Sequence, residues 1–189
     1  MADSRTVTSN TRICRAALTS DLESLAMVEL RSWTAAFQDV LDPAELAGLR
    51  LETLRERWVE RLGERDGDRA NTLCLVEDGE GDKNDILGYV RWYPSEDLDL
   101  DPAQVAEIGA LYTVPSSWRS GAGTSLLRAA VDAATAGGYL HAALWVLEDN
   151  ARARAFYERQ GWEHDGVHDT VRSGPRLVRR LRYRRGLAA

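Results

Sequence analysis

The sequence predicts a single α/β domain on a mixed sheet of about seven strands, in the order β-α-α-β-β-β-α-β-α-β-β. Three observations carry that expectation. Short apolar runs such as "TLCLVED" and "ALYTV" alternate with longer stretches whose apolar residues recur every three or four positions. A polar, glycine-containing segment, "DGEGDKND", separates two strand-like runs and marks an antiparallel hairpin. From "EIGALYTV" to "YLHAALWVL" the chain reads strand, glycine turn, helix, strand, a unit that pairs its strands in parallel through a right-handed crossover. With 189 residues and 44% hydrophobic composition, one sizeable core is expected. No repeat, low-complexity tract or linker divides the chain.

Residues 1–11 are polar and are expected to be loose, with the domain over 12–185 and a short tail at 186–189. "RICRAAL" reads as the first strand. "TSDLESLAMVELRSWTAAF" is helical, with Thr19 or Ser20 as N-cap and Glu23 placed for a capping box. A second helix, "LETLRERWVERLG", carries Leu51, Leu54, Trp58 and Leu62 on one face and stops at Gly63. The hairpin strands "NTLCLVED" and "ILGYVRWY" follow, then the acidic loop "PSEDLDLDP". Pro115 ends the next strand. "TSLLRAAVDAATA" is a helix closed by Gly137 and Gly138. After "YLHAALWVL" comes "DNARARAFYERQG", a helix capped by Asp149 or Asn150 and ended by Gly161. "WEHDGV" and "RLVRRLRYR" read as two closing strands. In the last, alternation turns Leu181 and Tyr183 inward and Arg180, Arg182 and Arg184 outward.

The formal net charge of −6 argues against bulk nucleic-acid binding, which rests on neutralising phosphates with Lys and Arg. No apolar run approaches the roughly 18 residues that span a membrane. The N-terminus shows no signal-like apolar segment, so a cytoplasmic location is expected. Cys14 and Cys74 sit in apolar runs and read as buried free thiols. His141, His164 and His168 show no metal-ligand spacing, and no metal is expected.

"WRSGAGTSLL" places Gly121 and Gly123 where a helix must begin. Two readings fit: a plain tight turn, or an anion cradle in which free helix N–H groups meet a phosphate with no Cβ in the way. Downstream, Asn150 and Tyr157 are seven residues apart, about two helical turns, and share a face with the small Ala153 between them. That face is either an ordinary amphipathic stripe or a polar notch for an extended ligand.

Together, "EIGALYTVPSSWRSGAGTSLL" and "LWVLEDNARARAFYERQGW" resemble the GNAT superfamily, the Gcn5-related N-acetyltransferases, and the first half resembles a small bacterial branch of it. The resemblance implies a GNAT fold, acetyl-CoA as cosubstrate and a small-molecule or peptide amine as acceptor. Carried over by position, Arg119, Ser120, Gly121, Ala122, Gly123 and Thr124 would wrap the CoA pyrophosphate. Leu111, Tyr112, Thr113 and Val114 match the strand that pairs with the pantetheine arm, as an added strand would. Asn150 matches the residue that bonds the arm, beside Ala153, and Tyr157 the phenol near the thioester sulfur. Trp33 and Phe37 match the region that walls the acceptor pocket. Many members carry Gln or Arg three residues before the first glycine; here that residue is Trp118, and the arginine is Arg119. A homodimer is a family-level expectation.

An alkyl ammonium, with a pKa near about 10.4, must lose a proton before it attacks a thioester. Glu107 matches the family's strand-borne glutamate and is the expected base. By period-2 alternation it would share a face with Gly109, Leu111 and Thr113. A backbone N–H near Val114 is expected to stabilise the oxyanion, and Tyr157 to protonate the leaving thiolate. The competing expectation is an acyl-CoA-binding module without turnover. The acidic loop is either a solvated segment or an attractor of cationic acceptors.

Overall fold

The computed structural model describes residues 11–38, 40–63, 71–78 and 84–187. The loose segment expected over residues 1–11 therefore lies, except for Thr11, outside the described residues, as do the hairpin-turn residues 79–83. The strands are β1 (Arg12–Ala16), β2 (Asn71–Asp78), β3 (Asn84–Pro94), β4 (Val105–Thr113), β5 (His141–Leu147), β6 (Glu163–Ser173) and β7 (Arg176–Gly186). The helices are α1 (Leu22–Phe37), α2 (Pro43–Gly48), α3 (Leu51–Gly63), α4 (Ala122–Ala136) and α5 (Ala151–Arg159). The strands form one sheet in the order β1-β2-β3-β4-β5-β7-β6. Among the described residues only the β4–β5 pair is parallel, as the glycine-turn crossover requires.

The expected order is present, with α2 added between the first two helices. Its signal is local: Asp42 accepts the Ala44 N–H at 2.9 Å as N-cap, and Pro43 fills the first turn, where its missing N–H costs nothing. The start of α1 differs from the expected cap. Thr19 and Ser20 belong to a short 3₁₀ turn, and Asp21 does the work expected of them. Its carboxylate accepts the Leu18 N–H at 2.7 Å and both Nη atoms of Arg15. Glu23 pairs with Arg55 of α3 instead of closing a capping box.

Alternation sorts the sheet into two faces. One packs α1 and α3 through Leu25, Val28, Leu54 and Trp58 onto Cys74, Val76 and Tyr89. The other packs α4 and α5 through Leu126, Leu127, Ala130 and Tyr157 onto Leu75, Val90, Ile108 and Leu144. Burying one such leucine contributes about 2 kcal/mol.

Two irregularities position the site. β5 pairs with β4 only from Val105↔His141 to Glu107↔Ala143, and beyond Glu107 the two strands part. β4 also carries a bulge: its pairing with β3 slips between Arg91↔Ala110 and Trp92↔Ile108, leaving Gly109 as the extra residue. The extra residue reverses the alternation. Ile108 and Leu111 both face α4, whereas Ala110 and Tyr112 face α1 and α3.

The last strands also depart from expectation. β7 inserts between β5 and β6, so it is an interior strand with neighbours on both sides. Leu181 and Tyr183 are buried as expected, but Arg182 is buried too, with 3% of its side chain exposed. The acidic loop covers it. Asp97, Asp99 and Asp165 all bond its guanidinium, at 3.1, 2.7 and 2.8 Å. Asp97 and Asp99 of the loop are therefore already engaged, while Glu96, Leu98 and Asp101 remain exposed.

Candidate functional site

Where β4 and β5 separate, a cavity of about 370 Å³ passes through the sheet. Leu111 of β4 and Ala153 and Tyr157 of α5 line it from the α4 side. Glu107 and Tyr112 of β4, with Trp33 and Phe37 of α1, line it from the other. Asn150 stands at its rim. Residues from both halves of the chain therefore meet in one space.

Asn150 caps α5 through its Oδ1, which accepts the Ala153 N–H at 3.1 Å. The cap holds its amide beside the cavity. Tyr157, 9% exposed, packs edge-on against Phe156 and Trp162 at 5.2 and 6.1 Å between ring centroids. Burial, reinforced by Tyr112, pushes its phenol well above the ordinary value. Phe37 is buried and Trp33 half-buried, and the two rings meet edge to face at 5.4 Å.

Glu107 sits opposite Tyr93 of β3. Because of the bulge, it shares its face with Ala110 and Tyr112, not with Leu111 and Thr113 as regular alternation predicts. Its carboxylate accepts the Tyr93 hydroxyl at Oε1 and the Ser95 hydroxyl at Oε2, each at 3.4 Å. Burial, then the Asp97 charge, raises its pKa above the ordinary carboxylate value; these hydroxyl bonds oppose the rise only in part. Tyr93 is pushed up to about 12 by burial and by Glu107, so its hydroxyl stays a donor.

The remaining predicted residues lie beyond the cavity. Val114 N–H donates to Leu87 C=O at 2.9 Å and so is not free for an oxyanion, contrary to expectation. Alternation from that bond turns the N–H groups of Thr113 and Leu111 away from β3, toward the side where β5 has departed. The Thr113 carbonyl, on that side, accepts Ser32 Oγ at 2.9 Å and Trp118 Nε1 at 3.1 Å. Trp118 is thus a strut from the glycine loop to the end of β4.

The loop itself is wound tightly. Arg119 has a φ of 62° and Gly121 a φ of 87°, the left-handed region that a glycine adopts without strain. Ser120 is braced by Arg12 of β1, whose Nη1 donates to its carbonyl and hydroxyl at 3.1 and 3.0 Å. No side chain caps α4, so the N–H groups of Ala122, Gly123 and Thr124 lack intrahelical partners and a capping oxygen. A Cβ at Gly123 would meet only Phe156 at 3.5 Å and Leu111 at 3.9 Å, so the protein's own packing leaves room for one. Beside the loop, the Arg152 guanidinium lies 3.5 Å from the Trp118 ring centroid. Burial, then the neighbouring Arg119, lowers its pKa, so two cations flank the helix start.

Sequence reasoning missed Tyr93, Asp97, Arg152 and Arg182. Only Arg152 had a signal, its place in the first turn of the Asn150 helix. The others depend on register and on a loop folding back over β7. Among the described residues no helix is long and apolar enough to cross a membrane, and no group of His, Cys, Asp and Glu could hold a metal. Cys74 is buried and Cys14 half-buried.

A sequence profile described as the acetyltransferase (GNAT) family matches residues 29–162. A probable N-acetyltransferase of Mycobacterium tuberculosis is 28% identical over 158 residues, covering 84% of this chain and 83% of that protein. An uncharacterized N-acetyltransferase of Bacillus subtilis is 24% identical, covering 86% and 87%. Among solved structures, the PaiA N-acetyltransferase of Thermoplasma acidophilum in complex with coenzyme A superposes with a TM-score of 0.70. Its identity is 18%, over 93% of this chain and 99% of that one.

Proposed function

The chain belongs to the GNAT acetyltransferase family, and on that premise we propose that it transfers an acetyl group from acetyl-CoA to a primary amine by direct attack in a ternary complex. The observation that carries this reading is the cavity through the sheet, which joins the Tyr157 side to the Glu107 side where β4 and β5 part.

The cosubstrate fits the α4 side. The uncapped N–H groups of α4, with Arg119 and Arg152, suit a pyrophosphate, and the small Gly123 leaves its approach open. The outward N–H groups of Leu111 and Thr113 would pair with the pantetheine amides as a strand does. Asn150 and Ala153 flank that arm. The thioester supplies the activated acetyl group.

On the other side Glu107 takes a proton from the acceptor ammonium. Its raised pKa makes it a stronger base than an exposed carboxylate. Tyr93 and Ser95 hold it in place. Tyr157 keeps its proton at neutral pH and donates it to the departing thiolate. Trp33 and Phe37 wall the acceptor.

The test is an acetyl-CoA assay over a broad amine panel, reading free CoA thiol. Thiol release that depends on an amine is the expected result. Binding of CoA without amine-dependent release from any member would mark a binding module and overturn the reading.

A further inference from the structure

The acceptor half of the cavity carries an arginine, Arg180, that acetyl transfer itself does not use. On the α1 face, Glu107 pairs with Ala143, Trp145 lies two residues further along β5, and Leu147 pairs with Arg180 of β7. Arg180 bends back over Trp145, with its Cζ 4.8 Å from the ring centroid. One indole therefore separates its guanidinium from the Glu107 region, and two residues of strand span about 7 Å. Arg180 gives Nη2 to Asp169. Its Nε is buried and has no partner among the described residues. A buried donor without an acceptor is uncommon and costly, which points to an acceptor supplied from outside. Arg172 of β6 borders the same space, but Val171 and Ser173 on either side of it face α1 and α2, so its exposed side chain points to the opposite face. Glu45 is also there, but its carboxylate already accepts the Ser173 hydroxyl. Trp33, Phe37 and Val178 supply an apolar wall.

We propose that the acceptor is a small α-amino acid, its carboxylate held by Arg180, its amine turned to Glu107 and its side chain against Trp33 and Phe37; this rests on the acetyl-transfer reading above. Two hydrogen bonds plus the short separation of an α-amine from its carboxylate span roughly 8 Å, which matches the one-indole spacing. A polyamine would set a second cation against the Arg180 guanidinium, a like-charge contact. A simple alkylamine would leave the Arg180 Nε unpaired.

The test separates this inference from acetyl transfer. The full chain, saturated with CoA so that no turnover occurs, is titrated calorimetrically with the common L-amino acids, their amides and spermidine. Some amino acid should bind roughly tenfold tighter, or more, than its amide, because a charge-assisted bond is lost in the amide. Arg180→Gln should collapse that ratio. The ratio in the parent protein needs no variant, and a melting curve shows whether the variant folds. Amides binding as tightly as acids, spermidine binding tighter than both, no amino acid binding, or an unchanged ratio in Arg180→Gln each overturns the proposal. If an amino acid binds but releases no thiol from acetyl-CoA, the acetyl-transfer reading fails and the carboxylate site stands.

Discussion

The Tyr93 ring lies against the α-carbon of Gly109, and a Cβ at Gly109 would collide with its hydroxyl end. The same hydroxyl donates to Glu107. The bulge, the aromatic ring and the carboxylate are one packed unit. Gly109→Ala should destabilise the fold by about 1–3 kcal/mol, the range for overpacking. It should also lower kcat/KM by displacing Tyr93 from Glu107. Urea unfolding and steady-state kinetics check both, and an unaffected kcat/KM would uncouple the bulge from the reaction.

The pH dependence follows from Glu107. A base works when deprotonated, so kcat/KM should rise through a pKa above the ordinary carboxylate value. Asp97→Asn removes the like charge that helps raise it, so the acid limb of the profile should move to lower pH. Burial remains the larger cause, so the limb should stay above that of an exposed glutamate.

The same group has a stability signature. A carboxyl whose folded pKa lies above its unfolded value favours the fold while protonated, and that contribution is lost as pH rises through the folded pKa. Glu107→Gln should therefore raise the melting temperature near about pH 8 and change it little near about pH 4. It should abolish most turnover near about pH 8, where the parent carboxylate is ionised, and change the already low turnover near about pH 4 little. A melting temperature lowered near neutral pH would mean that the ionised form is stabilised instead.

Tyr157→Phe keeps the ring that packs on Phe156 and Trp162 and removes only the proposed acid. CoA affinity should hold while kcat falls about 100-fold, the lower end for a lost general acid. Single-turnover kinetics separate this from slow product release. Unchanged turnover on a good acceptor would rule out the acid role.

The glycine loop should divide by backbone and side chain. Gly121→Val places a branched residue at a φ of 87°, at a cost of about 1–2 kcal/mol or more. CoA affinity should fall with it. Trp118→Phe loses the bond to Thr113 C=O and part of the contact with Arg152. It should weaken CoA far less, as calorimetric titration of the two variants would show.

Much of this was legible in the chain. The β-α-β unit, the Asn150 cap and the shared face of Asn150, Ala153 and Tyr157 follow from spacing that tertiary packing does not disturb. The resemblance points to Glu107, but period-2 counting gives it the wrong face, because it assumes an unbroken ladder and the bulge at Gly109 breaks it. Alternation gives Arg182 the correct face but not its environment. Alternation says which way a side chain points, but not that residues 97 and 99 fold over it. The 3₁₀ turn before α1 replaced the expected cap because Arg15, a strand residue, recruits Asp21.

Three residue pairs, extended by the Leu140 and His141 N–H bonds to Gln104 C=O, stitch β1–β4 to β5–β7 among the described residues. Mechanically the sheet is two panels with a short seam. The core under α4 spans that seam, from Leu75 and Val90 on one panel to Leu144 and Leu181 on the other. The panels are therefore held in registry largely by side chains, and where they part the Leu111 and Thr113 N–H groups have no strand partner. Hydrogen exchange would register this as fast exchange at the Leu111 and Thr113 amides, slowed when a ligand bridges the panels.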